Sequence, residues 1–569
     1  MSALLLVPPA NRRVTVSTLP ADRSESVLVA DPADPLHLVG ASKRFFDPAK
    51  YSFTLATYAS FDGGISWQEA PPIQLPGWDG ASDPALAWDG AGNVYLVALP
   101  FTGVGNTVGI AVYKSTDGGR TWGVPQVIHT SSGDDKQWAA GDTSPTSPHR
   151  GNLYAVWVDS ELGFARSSDG GATWKGTAAG GKDQRAGSSP FPADDSALFS
   201  SPELSVAADG TIYIVWYDEI NKAIRFGRST DGGATFTAPR DVAKPVAQCP
   251  DTMPGGLFRT VTGPTGCTAG AGLVVFAWPD NSQGVARIFY RRSTDGGAAW
   301  LGSPAGDPLL TGAAASAADQ QEFFPQVISM PGGEIGCAFY EFGPKGPAGK
   351  RLIDVVLAVS TDRGATFPHR LTVTEEPWDP TVAEVLLPVP QKRTFIGDYF
   401  GLEATRLGFF PFWTDTRTGV QEIFAARVAV GGGLLVRDAV DDDGTPGAVA
   451  WGGRSPDILV APAGVDPAAA FADLADPAPG GDLGVGANRI FVRVHNRGPA
   501  PASAAVDLYF APADAPWSWP DPAHRIAAAV AVADIDPGGF KFTPEIAWTP
   551  APGPPGYVLV ALARPAGAP

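Results

Sequence analysis

Charged and aromatic residues stand in this chain where a β-strand would need only apolar ones. They are Asp83 in SDPAL, Asp135, Lys136 and Trp138 in DKQWAAGD, Glu203 in SPEL, Glu322 in QEFFPQV, and Asp398 with Tyr399 in GDYFGL. Two carboxylates about 5 to 9 Å apart can hydrolyse a glycosidic bond, one as acid and the other as base or nucleophile. Trp138 and Tyr399 carry flat apolar faces of the kind that stack on a sugar ring. Converging carboxylates raise one another's pKa unless a cation or a donor intervenes, so the same set suits a divalent cation such as calcium. In a repetitive chain, residues that occur once point to function, and by that criterion DKQW and GDYFGL stand out.

Other chemistries lack their residues. There is no G-x-S-x-G elbow, no Cys/His cluster with zinc spacing and no G-x-x-x-x-G-K-[ST] phosphate cradle, and the six histidines read as turn or outer-strand residues. Asp441-Asp442-Asp443-Gly444 lacks the ligand spacing of a calcium loop and reads as a solvated linker. The formal net charge is −18, with 59 acidic against 41 basic side chains, which argues against nucleic acid and anionic membrane as partners. No apolar run reaches the roughly 18 residues of a membrane span. The run Ala3–Val7 is short, lacks a basic start and meets Pro8-Pro9, a poor secretory signal. The expected location is the cytoplasm, or outside the cell by another route or from a trimmed precursor.

A repeated phrase must position these residues. It reads SFDGGISW from Ser60, STDGGRTW from Ser115, SSDGGATW from Ser167, STDGGATF from Ser229, STDGGAAW from Ser293 and STDRGATF from Ser360, at spacings of 52 to 67 residues. Such a period means one supersecondary unit copied many times. The Asp carboxylate can accept backbone N–H groups just downstream, the Gly pair supplies positive φ, and the aromatic plugs the turn. The phrase resembles the Asp-box, or bacterial neuraminidase repeat, of sialidase-like β-propellers. That resemblance places each turn between the third and fourth strands of a blade, away from the ligand face, so the six aspartates are expected to form turns rather than to catalyse.

Strand-like runs precede each phrase; in the fourth unit they are PELSVAAD, GTIYIVWYD and AIRFGRS. A last unit without the phrase, FIGDYFGLEAT, LGFFPFWTD and EIFAARVAV, has three strands, and Arg12–Ser17 is a spare strand that would complete it. The expected fold is therefore all-β, a propeller of seven blades over residues 11–432 after a tail at 1–10, with six blades, as in sialidases, the alternative. After a linker at 433–455, residues 456–569 alternate as an antiparallel β-sandwich, and VRVHNRG resembles CARDB-like, immunoglobulin-type modules of bacterial surface proteins. Trp67, Trp122, Trp174 and Trp300 are expected to be buried. Cys337 reads as a buried thiol, and Cys249 with Cys267 as a disulfide or two thiols.

Propeller topology puts the starts of the inner strands on the ligand face, where the residues named above would gather. The sialidase resemblance implies a Tyr nucleophile assisted by a Glu, a catalytic Asp and three arginines gripping a carboxylate. Tyr399, Glu203 and Asp83 have the types for catalysis, but the R-I-P phrase is absent and the nearest candidates are Arg44 and Arg12-Arg13. Arg225, Arg228, Arg291 and Arg292 sit at blade edges, which leaves Arg259 and Arg393 to reach the centre. The expected binding set is Asp135, Lys136, Trp138, Arg259, Glu322, Arg393 and Asp398, on an acidic face where Asp83, Glu203, Glu322 and Asp398 converge. It implies a module that binds a glycan or protein partner without sialidase activity. The alternatives are a carbohydrate-active enzyme, of exo-sialidase type or another glycoside hydrolase, with its site at the centre of the propeller, or a component of a larger assembly. The recurring Asp159, Asp218, Asp280 and Asp415 read as turn caps.

Overall fold

The computed structural model describes residues 5–6, 10–15 and 21–431 except 104, 180, 192–198, 271 and 383–393. Beyond these it describes 434–436, 455, 457–461, 483, 486–496, 502–512, 522–536, 539–550 and 557–565. Among them no helix is long and apolar enough to cross a membrane.

Antiparallel sheets follow one another along the chain, each beginning with an inner strand: Arg23–Ala30, Gly80–Trp88, Asp135–Gly141, Phe199–Val206, Thr265–Ala269, Gln321–Ser329 and Gly401–Thr405. Each inner strand packs against the next, and the last returns to the first, so the sheets form a closed β-propeller. The sheet that begins with Gly401–Thr405 takes its outer strand from Arg12–Arg13, paired as Arg12 with Ala425 and Arg13 with Phe424. The Val14 N–H extends the ladder to the carbonyl of Ile423 at 2.9 Å. This closure joins chain segments some 400 residues apart and covers an edge that would otherwise template aggregation.

The repeated turns are built alike. At Asp231, one carboxylate oxygen accepts the Ser229 hydroxyl (2.7 Å) and the Thr235 N–H (2.9 Å), and the other accepts the Thr235 hydroxyl (2.6 Å). Burial works against that charge, but these donors outweigh it and hold the carboxyl below its usual range. Gly232 and Gly233 take φ of +66° and +80°; in the sixth copy Arg363 adopts +61° at the position of the first Gly, a conformation that disfavours a side chain. The closing aromatics glue neighbouring sheets: Trp67 packs on Phe412 at 5.3 Å, Phe236 on Phe164 at 5.0 Å and Trp300 on Phe226 at 5.2 Å. The Trp122 indole N–H donates to the Thr57 hydroxyl of the preceding sheet at 2.8 Å. Trp67 and Trp122 are buried, but Trp174 and Trp300 are only partly so.

The chain divides into two compact units, Pro8–Val428 and a second made of Met1–Val7 with Ala429–Pro569. In the second, a five-stranded sheet centred on Asn488–Asn496 and a three-stranded sheet of Ala502–Pro512, Arg525–Ile535 and Tyr557–Pro565 share one core. Ile490, Val492 and Val494 meet Val506, Leu508 and Val532 there, as in a sandwich. Asp441 to Asp443 lie outside the described residues. Cys249, Cys267 and Cys337 are buried free thiols.

Candidate functional site

Five inner strands break their register near the start, and each break is centred on a residue in the left-handed region: Glu25 (φ +54°), Asp83 (+50°), Lys136 (+44°), Ser201 (+47°) and Phe324 (+50°). Such β-bulges re-aim side chains, and non-glycine residues held this way cost on the order of 1–2 kcal/mol each. Pro84, Pro202 and Pro325 follow three of them, where a missing N–H costs the ladder nothing. Four of the five bulge residues, Glu25, Asp83, Lys136 and Ser201, line a cavity of about 660 Å³, a size that suits a small ligand. The loop before Gly401 closes on it, with Gly397 at φ +94° so near that a Cβ would lie 2.7 Å from the Glu25 nitrogen.

The cavity wall is an ion network. Lys43, reaching in from Leu38–Asp47, pairs with Glu25 and, at 3.2 Å, with Asp83, its ammonium lying 5.0 Å and 4.9 Å from the Phe53 and Phe395 rings. Burial alone would discharge Lys43, yet Glu25 and Asp83 hold its pKa well above the ordinary value. Burial pushes Glu25 up to about 8 against the pull of Lys43, with Asp83 and Asp398 adding to the rise. At Asp83 burial is outweighed by Lys43, the Ser82 hydroxyl and Lys136, which hold the carboxyl below its usual range. Asp398 is gripped by the Arg259 guanidinium through two hydrogen bonds, one of 2.9 Å from Nε.

Beside this network lie three groups that make fewer contacts. Asp135 is open to the cavity, and the desolvating wall with the neighbouring Asp83 charge pushes it up to about 6. Lys136 places its ammonium 4.0 Å from the Tyr399 ring centre and 4.5 Å from that of Trp138, with no hydrogen-bond acceptor among the described residues. The Tyr399 hydroxyl is buried, also without a partner among the described residues; burial and the charges of Glu25, Asp83, Asp398 and Asp135 keep it a phenol, with its pKa well above the ordinary value. These two unsatisfied groups are the donors and acceptors a ligand would meet.

The structure redistributes part of the expected site. Asp83, Asp135, Lys136, Arg259, Asp398 and Tyr399 share the cavity. Glu203 lines a different one, about 340 Å³, with Trp138 and Glu403, and accepts a 2.8 Å hydrogen bond from Gln326. It sits two residues past its bulge, on the axial side, and burial pushes it up to about 7 against Lys136. Glu203 therefore lines a different cavity from Tyr399; among the carboxylates acting on that phenol, Glu25 acts most strongly. Glu322 lines neither cavity: it is buried between sheets, accepting the Ile288 N–H at 2.8 Å. The expectation that four acids converge largely uncompensated is thus corrected, since Asp83 and Asp398 each have a cation of their own. Arg393 lies outside the described residues. Arg44 is committed to Glu69 at 3.3 Å, and Arg225 to Asp218 at 3.3 Å.

Glu25 and Lys43 escaped sequence reasoning because SESVL and ASKRF look like plain strand. A signal existed: SESVL, SDPAL, DKQWA, SSPEL and FFPQV align, and their second residue is the bulge residue in every case.

No protein-family model matches the chain, and no curated protein matches it. Solved structures similar to it include a protein of unknown function from Dyadobacter fermentans, at 16% identity and TM-score 0.39, covering 61% of this chain and 98% of that one. A leech intramolecular trans-sialidase is similar at 12% identity and TM-score 0.37, covering 56% of this chain and 64% of that one. A polysaccharide lyase acting on ulvan is similar at 11% identity and TM-score 0.40, covering 61% and 83% respectively. At such identities the likeness concerns fold alone, and the chemistry of this chain rests on its own cavity.

Proposed function

We propose that the 660 Å³ cavity binds an uncharged or cationic glycan and that the protein has no sialidase activity. One observation carries this reading: Arg259 is the sole arginine among the described residues lining the cavity, and Asp398 engages it. A sialic acid carboxylate would meet no clamp and several carboxylates. A neutral sugar would instead find the Lys136 ammonium and Tyr399 hydroxyl as hydrogen-bond partners and the aromatic wall as a stacking surface.

A second reading, a carbohydrate-active enzyme, is favoured by Asp83 and Asp135. Their pKa values are pushed in opposite directions, as for an acid and its partner. A glycan array together with fluorogenic sialosides and neutral glycosides separates the two. Array binding without turnover supports the binding module, turnover of a neutral glycoside lost in Asp135→Asn supports the enzyme, and turnover of a sialoside contradicts the binding module and the absence of sialidase activity.

A further inference from the structure

Several carboxylates of the propeller interior have a cation: Asp83 has Lys43, Asp398 has Arg259, Asp218 has Arg225 and Asp415 has Arg417. Asp134 and Asp159 pair with no lysine or arginine among the described residues. Each lies near His129, and the three offer one ligand atom apiece within 4.8 Å of one another. We propose that His129, Asp134 and Asp159 form a binding site for a divalent transition-metal ion of the zinc type, at the edge of the cavity that Asp134 lines.

Geometry supports this first. His129 Nδ1 lies 2.8 Å and 3.0 Å from the two Asp134 oxygens. Neighbouring donors around a tetrahedral zinc with bonds of about 2.0–2.1 Å are separated by about 3.3 Å, so an ion could replace the shared proton with a movement of about half an ångström between His129 and Asp134. The imidazole is held in place: it meets the Trp157 ring at 5.3 Å, and Gly187, at φ +91°, approaches so closely that a Cβ would lie 2.2 Å from its Cδ2.

The second support is independent and comes from the repeat. Asp218, Asp280 and Asp415 stand at the same place in their sheets, almost fully buried, and each engages both oxygens. Asp218 accepts from the backbone and side chain of Asn221, Asp280 from Ser282 and Ala247, and Asp415 from Arg417 and Trp413. Asp159 departs from this pattern. It is half-exposed, and among the described residues its carboxylate accepts one hydrogen bond, from the Ser160 N–H to Oδ1 at 2.7 Å, which leaves the other oxygen without a partner there. The turn-cap reading fits the other three and fails here. One imidazole with carboxylates suits zinc and its neighbours better than calcium or magnesium, which prefer oxygen alone.

The test is calorimetric titration of the chelator-treated full chain with zinc chloride and, separately, calcium chloride. The expected result is one equivalent of zinc bound at least tenfold more tightly than calcium, with Asp159→Asn and His129→Gln each weakening zinc at least tenfold and Glu376→Gln, at a remote exposed site, changing nothing. Should His129→Gln fail to fold, the half-exposed Asp159 decides alone. Cobalt(II) supplies a second readout, since its visible bands should be lost in Asp159→Asn. Absence of zinc binding, zinc binding equal in wild type and Asp159→Asn, or tighter binding of calcium overturns the proposal.

Discussion

The Lys136 ammonium sits 4.0 Å from the centre of the Tyr399 ring, and neither the ammonium nor the Tyr399 hydroxyl has a hydrogen-bond partner among the described residues. A cation over an aromatic face is worth about 2 kcal/mol when desolvated. Here the cation also spans two cavities electrically, acting on Asp83 in one and on Glu203 in the other.

Replacing Lys136 by Met keeps the apolar stem and removes the charge. Glycan affinity should fall about tenfold or more, the effect of losing a hydrogen bond to a charged group, about 1.5–3 kcal/mol. The Glu203 pKa should rise further above about 7, because Lys136 now holds it down. Titration of the Glu203 carboxyl by carbon NMR checks this; an unmoved pKa would separate the two cavities.

Glu203→Gln should stabilise the protein at high pH and have little effect at low pH. The folded Glu203 pKa is raised to about 7 from an ordinary value near 4.5, so the unfolded chain releases the proton first. Its contribution is therefore fully present below pH 4.5 and is lost as pH rises through 7. Melting temperatures of wild type and Glu203→Gln should coincide near pH 4 and diverge by pH 8 in favour of the variant. Divergence at pH 4 instead would show that the Gln326 hydrogen bond, not the charge, matters.

Trp67→Ala should cost about 3–5 kcal/mol, the usual range for emptying a buried aromatic site. Trp174→Ala should cost clearly less, since that ring is only partly buried. Chemical denaturation of both variants compares them directly, and equal losses would refute the role of burial.

Residues 434–569 should fold when expressed alone, because Ile490, Val506 and Val532 bury one another in a core made within this segment. Circular dichroism and size exclusion check it; an aggregated fragment would contradict an independent sandwich.

The repeat made the sheets and their order legible, since S-x-D-G-G carries its own turn chemistry in a few consecutive residues. The site was legible only where a polar residue broke a strand pattern, as at Asp83, Lys136 and Asp398. Glu25 and Lys43 were hidden because partnership between an inner strand and its neighbour depends on cross-strand register, which a bulge shifts by one residue. Glu322 and Glu203 show the opposite error: both have the right residue type, yet lie on the wrong side of the strand or beyond the bulge. Which sheet edge a carboxylate braces is decided by packing between sheets, and that is not written in local sequence.

The central claim is that the cavity takes an uncharged or cationic glycan through Lys136 and Tyr399. Calorimetric titration of wild type and Tyr399→Ala with matched neutral and sialylated oligosaccharides tests it most directly. Neutral sugars should bind wild type, bind Tyr399→Ala at least tenfold more weakly, and outcompete their sialylated counterparts. Tight binding of a sialylated oligosaccharide that Arg259→Ala abolishes would contradict the claim and assign Arg259 to a carboxylate grip.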